Sequence, residues 1–155
     1  MVVCRKCAEV VQFINTDDTE ILRLEPLTKF PVVEDLIVDR SVIWERQKEA
    51  LMYLGIRKHP DPKEHDHQYS AAKCLKCGLC LEVCPNYLGA KDDFYGAEFA
   101  NNAYLLHSSS LNRKRALEKQ YEEHFAKQCS KSLACRDICP AHLQTLSSIS
   151  YMNRR

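Results

Sequence analysis

Residues 74–85 read Cys-Leu-Lys-Cys-Gly-Leu-Cys-Leu-Glu-Val-Cys-Pro, a C-x2-C-x2-C-x3-C-P pattern that constrains folding more tightly than any other stretch of the chain. Cysteines three apart slip about 60° backwards at each step around an α-helix, so they cannot share one helical face. The segment has to curl instead, presenting one sulfur per turn to something enclosed by the curl. Residues 129–140 read Cys-Ser-Lys-Ser-Leu-Ala-Cys-Arg-Asp-Ile-Cys-Pro, with the same length and the same closing Cys-Pro. Overlaying the runs puts Cys129 on Cys74, Cys135 on Cys80 and Cys139 on Cys84, and Ser132 falls where Cys77 stands. Pro85 and Pro140 close each segment, because proline cannot continue a hydrogen-bond ladder.

This spacing is that of iron-sulfur ligation, in which the fourth cysteine of a run serves the other cluster. The exchange predicts one cluster on Cys74, Cys77, Cys80 and Cys139, and a second on Cys84, Cys129 and Cys135. Four thiolates suit a [4Fe-4S] cube. Three thiolates with a serine in the fourth slot suit a cube lacking that corner iron, a [3Fe-4S] cluster, since an alcohol is a much poorer iron ligand than a thiolate. The competing readings are zinc and disulfides. Structural zinc prefers sets of four ligands, and seven cysteines do not divide into fours. Disulfides across x2 spacings would close tiny strained loops.

Composition agrees with metal chemistry in a reducing compartment. Nine of 155 residues are cysteine and only four are glycine, a poor match to a loop-rich, disulfide-stapled fold. The net charge of +1 implies no nucleic-acid partner. No apolar run reaches the ~18 residues of a membrane span, and the first residues, Met-Val-Val-Cys-Arg-Lys, do not form a signal peptide. A cytosolic, soluble chain is expected.

Residues 20–38 have strand character. Ser41 predicts an N-cap for a helix running to Leu54, with Ile43, Gln47, Ala50, Leu51 and Leu54 at helical spacing and Gly55 ending it. Residues 57–68 form a polar, proline-broken linker; its His59, His65 and His67 offer imidazoles to a metal, against the simpler reading of a solvated loop. From Tyr69 onward the patterns are helical. Leu117, Tyr121 and Phe125 recur at four, and Leu143, Leu146, Ile149 and Met152 at three, as core-facing stripes. The basic Arg113-Lys114-Arg115 stretch reads as a solvated face. No phosphate loop, catalytic triad or paired-carboxylate pattern stands out, so no substrate site and no catalytic residue of the chain's own is expected.

The run from Leu24 to Ser41, Leu-Glu-Pro-Leu-Thr-Lys-Phe-Pro-Val-Val-Glu-Asp-Leu-Ile-Val-Asp-Arg-Ser, together with the two cysteine runs and the serine at 132, resembles the iron-sulfur subunit of succinate dehydrogenase and fumarate reductase. The resemblance covers the chain from about residue 7 to residue 155. It implies a mainly α fold: an α-helical ferredoxin domain over 41–155, preceded over 1–40 by a short β remnant of a plant-type ferredoxin domain. It implies an electron-transfer subunit between a flavoprotein (FAD) subunit and a quinone at a membrane-anchor cytochrome b-type subunit. The chain would then lie on the cytoplasmic side, peripheral on the inner face of the cell membrane through its partners. By the same resemblance Pro85, Asn86 and Ser130 would help line the quinone site. The terminal Tyr151-Met-Asn-Arg154 and the Cys-Pro-Asn run look more like the menaquinone-linked members. Leu88, Gly89 and Ser130 stand where ubiquinone-linked members often carry tryptophan and histidine.

The largest departure from the family pattern is near the start. A [2Fe-2S] site needs four thiolates, and only Cys4 and Cys7 precede Cys74. No complete [2Fe-2S] site is expected, Cys4 and Cys7 read as remnant thiols, and an N-terminally shortened subunit is the simplest account. The alternatives from other classes are a dicluster ferredoxin-type subunit of a heterodisulfide-reductase-like complex, against which Ser132 and the block 30–41 count, and a zinc-bound adaptor without redox chemistry.

Overall fold

A computed structural model describes residues 25–59 and 61–155. The chain is mostly helical with a small two-stranded sheet. Strands β1 (Val32–Glu34) and β2 (Ile37–Val38) pair antiparallel, with Val32 opposite Val38 and Glu34 opposite Ile37. Asp35, at φ 47°, turns the chain between them, a conformation Asp tolerates better than most residues. Val32, Val33 and Ile37 remain exposed, and of the strand residues Val38 alone is partly buried, packed against the core. Of the strand character expected over 20–38, only these five residues are strand, and 20–24 lie outside the described residues.

Helix α1 (Ser41–Glu49) begins one residue earlier than Ser41 as N-cap would imply. Its first free N–H, that of Ser41, donates to Asp39 Oδ1 at 2.8 Å, so the aspartate does the capping expected of the serine. The helix also stops short of Leu54. Leu51 adopts φ 50°, and its carbonyl accepts a hydrogen bond from Arg113 Nη2 at 2.9 Å. The following segment is pulled alongside residues 109–111, where Lys58 N–H meets the Ser109 carbonyl at 2.7 Å and Leu111 N–H meets Ile56 at 2.9 Å. Long-range backbone partners therefore outcompete continuation of the helix.

Helix α2 (His65–Ala72) claims the end of the predicted linker, which shortens to 57–64. His67 is not in a solvated loop: its ring stacks on Tyr104 at 3.9 Å and its Nε2 hydrogen-bonds Ser148 Oγ at 3.1 Å. The short α3 (Leu79–Glu82) follows Gly78, whose φ of 83° and close approach to the Phe30 ring leave no room for a side chain.

Helix α4 (Gly96–Ser109) is the spine. Ala97, Phe99, Ala100, Ala103 and Tyr104 are buried, and α2, α3 and the later helices all pack on it. Its small residues let neighbouring helices approach closely. Helix α5 (Lys114–Tyr121) continues as a π-helical turn, Glu122–Ala126, and the stripe Leu117, Tyr121, Phe125 is buried as its spacing predicts. In the basic stretch Lys114 and Arg115 are exposed, whereas Arg113 lies 3.9 Å over the Tyr53 ring. Helix α6 (Thr145–Met152) corrects the second stripe. Met152 is buried and Ile149 packs against the core as expected, but Thr145 and Ser148 are buried as well, Leu143 precedes the helix, and Leu146 borders, with Ile149, a hollow described below. The buried Ser148 hydroxyl is tolerated because its Oγ donates to Asn101 Oδ1 at 3.1 Å.

Candidate iron-sulfur site

Backbone shape carries the two cysteine runs. In the first run Lys76 and Gly78 take positive φ of 52° and 83°; in the second, Lys131 and Leu133 take 59° and 61°. These positions coincide in the overlay of the runs, so Ser132 sits between two left-handed residues as Cys77 does. A left-handed leucine costs about 1–2 kcal/mol, which makes the repeat of this curl in an unrelated sequence informative.

The curls bring together residues that lie far apart in the chain. One solvent-open hollow of about 440 Å³ is bordered by Cys74, Cys77, Cys80 and Cys139, with Leu143, Pro140, Asn101 and Glu98 in its wall. A second, of about 460 Å³, is bordered by Cys84, Cys129 and Cys135, with Ser132 and Asn86 beside them and Phe94, Phe125, Leu146 and Ile149 behind. Seven cysteines of the described residues are free thiols. Cys4 and Cys7 lie outside the described residues.

The electrostatics of these sulfurs fit a cationic core. Burial pushes the Cys80 thiol well up, with Glu98 and the thiols of Cys74, Cys77 and Cys135 adding to the shift. Burial likewise raises Cys74. Cys135 is pushed up to about 11 by burial and then by Cys84 and Cys129. Several thiolates gathered in low dielectric repel one another, and multiply charged iron is the natural counter-charge for such a set. Among the described residues no three His, Cys, Asp or Glu side chains converge closely enough to hold a single metal ion. The two sets of sulfurs border volumes of about 440 and 460 Å³, room for a polynuclear cluster at each.

The segment before the first run is tied to it. Thr28 N–H and Oγ1 donate to Glu82 Oε1 at 2.9 and 2.6 Å, and Lys29 N–H to Oε2 at 3.1 Å. Burial pushes Glu82 up, but these bonds outweigh it and hold the carboxyl below its ordinary value. Lys29 Nζ donates to the Cys84 carbonyl at 2.5 Å.

Of the residues expected at a quinone, Asn86 is half-buried in the wall of the second hollow, whereas Pro85 and Ser130 are exposed and do not line it. His59 and His65 are exposed. The sequence did not single out Glu98, Lys76 or Arg46. For Glu98 the available sign was one acid set among Gly96, Ala97, Phe99 and Ala100, where a solvated helix would show more polar neighbours. Among the described residues no helix is long and apolar enough to cross a membrane.

Residues 70–143 match the family model of a 4Fe-4S dicluster domain. The succinate dehydrogenase iron-sulfur subunit of Bacillus subtilis is 32% identical over 144 residues, covering 86% of this chain and 56% of its own length. The fumarate reductase iron-sulfur subunit of Wolinella succinogenes is 25% identical, covering 87% of this chain and 62% of its own length. A structure of the Mycobacterium smegmatis Sdh1 complex in the apo form superposes with a TM-score of 0.69 at 23% identity, over 84% of this chain and 59% of that one. The chain thus spans somewhat over half the length of these relatives. Both cysteine runs lie inside the matched dicluster region, and the chain is similar to the iron-sulfur subunits of succinate dehydrogenase and fumarate reductase.

Proposed function

We propose that the chain relays electrons through two clusters, between a flavoprotein (FAD) subunit and a quinone at a membrane-anchor cytochrome b-type subunit. Cys74, Cys77, Cys80 and Cys139 would hold a [4Fe-4S] cluster; Cys84, Cys129 and Cys135 would hold a [3Fe-4S] cluster, with Ser132 at the missing corner. The repeated left-handed curl that sets Ser132 on Cys77 is the observation that carries this assignment. When bound, the clusters supply one-electron carriers whose potentials follow charge, hydrogen bonding and solvent exposure.

The remaining work falls to the chain's own side chains. Phe94, Phe125, Leu146 and Ile149 keep water from the inner side of the second hollow. Asn86 holds the two runs together through Gln128 and Ser130. Pro85, Asn86 and Ser130 would meet the quinone head group, and by the resemblance of the Cys-Pro-Asn run and of residues 151–154 to the menaquinone-linked members that quinone would be menaquinone. Residues 41–155 would form the dicluster unit and 1–40 the remnant of a ferredoxin domain, with the β1–β2 hairpin at its end. Attachment to the inner face of the membrane would run through the partner subunits.

Anaerobic reconstitution of the full chain with iron and sulfide, followed by EPR, tests this reading. The expected result is a [3Fe-4S] signal in the oxidised protein and a [4Fe-4S] signal on reduction. Two reducible [4Fe-4S] signals would instead favour the heterodisulfide-reductase-like alternative, and a colourless zinc protein would exclude both.

A further inference from the structure

In the wall of the first hollow stands a carboxylate that the cysteine ligands do not require. The Glu98 side chain is 3% exposed and borders the volume ringed by Cys74, Cys77, Cys80 and Cys139. Its Oε1 accepts from Lys76 Nζ and from Gln47 Nε2 at 2.7 Å, while Gln47 Oε1 accepts from Asn102 Nδ2 at 3.1 Å. Lys76 is itself four-fifths buried. Burial pushes the Glu98 carboxyl above its ordinary value while Lys76 and Gln47 pull it down, and a neutral carboxyl at 98 would strand the buried ammonium without a counter-charge. The second hollow differs: among the described residues its wall includes Lys131 and no acid.

We propose that Glu98 sets a low reduction potential for the cluster of the first hollow. The proposal rests on the reading that Cys74, Cys77, Cys80 and Cys139 hold a [4Fe-4S] cluster. Accepting one electron adds one negative charge to a site already surrounded by thiolates. A fixed carboxylate at its border disfavours the reduced form through a low-dielectric wall that screens poorly. Lys76, paired with Glu98, borders the same hollow and offsets part of this field. The Gln47–Asn102 relay fixes the carboxylate in place, so its field is built into the fold.

The test is an EPR-monitored redox titration of the reconstituted full chain, with both clusters read in one sample. In Glu98→Gln the midpoint of the first cluster is expected to rise while that of the second stays in place. Glu98→Asp, which keeps the charge, is expected to return most of the shift. Equal midpoints in wild type and Glu98→Gln, or an equal shift of both clusters, would overturn the proposal. Should Glu98→Gln fail to retain its first cluster, Gln47→Leu decides: loss of a donor that spreads the charge of Glu98 lowers the midpoint, and an unchanged midpoint refutes the idea. A wild-type chain that takes up no four-iron cluster removes the underlying reading, and the proposal with it.

Discussion

Asn86 Nδ2 donates to the backbone carbonyl of Gln128 at 2.9 Å, tying the turn after Cys84 to the residue before Cys129. Ser130 Oγ donates to Asn86 Oδ1 from the other side of Cys129. One amide thus clamps both cysteine runs at the second hollow. Asn86→Ala is expected to cost about 1–2 kcal/mol, or a fall of about 2–8 °C in Tm for a chain of this size. Calorimetry measures that fall. EPR of the reconstituted protein should show the second cluster under-occupied and the first unchanged; equal loss of both would count against the clamp.

Ser132 occupies the curl position that Cys77 holds in the first run. Ser132→Cys is expected to complete a fourth thiolate corner, adding one iron per chain and replacing the [3Fe-4S] signal of the oxidised protein with a reducible [4Fe-4S] signal. An unchanged spectrum and iron content would show that residue 132 does not face the cluster.

Arg46 holds the loop that leads from the first run into α4. Its guanidinium, buried between the Tyr87 and Tyr95 rings at 5.1 and 4.8 Å, donates to the carbonyls of Gly89 at 2.9 Å, Phe94 at 3.2 Å and Asp92. Arg46→Met fills similar volume but leaves those carbonyls without a donor, at an expected cost of about 3 kcal/mol or more. Arg46→Lys should recover little, because a point-like ammonium cannot reproduce the planar fork. Urea midpoints should fall for both variants with the slope unchanged.

His107 and His67 make stability depend on pH. Burial lowers His107 below its ordinary value of 6.5, although Glu118, which accepts at 2.8 Å from Nε2, pulls upward, and Lys114 and Arg155 reinforce the lowering. Burial lowers His67 in the same way. The unfolded chain therefore binds more protons than the folded one below about 6.5. Stability from these rings is fully present above that value and is lost as the pH falls through 6.5 toward the folded-state values. Urea midpoints over roughly pH 8 to 5 should decline on acidification in wild type and decline less in His107→Gln.

The parts of the fold legible in the sequence are those governed by near neighbours. The burial of Leu117, Tyr121 and Phe125 follows from their spacing alone, and the repeat of the cysteine runs is visible because both carry the same short-range curl. Helix α1 was misjudged past Ala50 because the Leu51 carbonyl is taken by Arg113, which a local pattern does not reveal. The linker was drawn too long because α2 is held by His67 stacking on Tyr104 and bonding to Ser148, contacts that span 37 and 81 positions. The α6 stripe holds for Met152 and Ile149 but not for Leu146, which borders the second hollow, and Ser148 is buried among them because its hydroxyl finds a partner in Asn101.

The sequence by itself determined the chemistry available here: soft sulfur donors at a spacing that curls, with one serine among them. Spacing and donor type are covalent properties, and they survive in one dimension. The exchange of Cys84 and Cys139 between the two groups was already legible in that spacing; only the tertiary structure decided that Glu98 stands at the border of the first hollow and that Phe94, Phe125, Leu146 and Ile149 back the second. Those outcomes depend on burial and on charge acting across space, and both are set by residues brought together only when α4 packs against its neighbours.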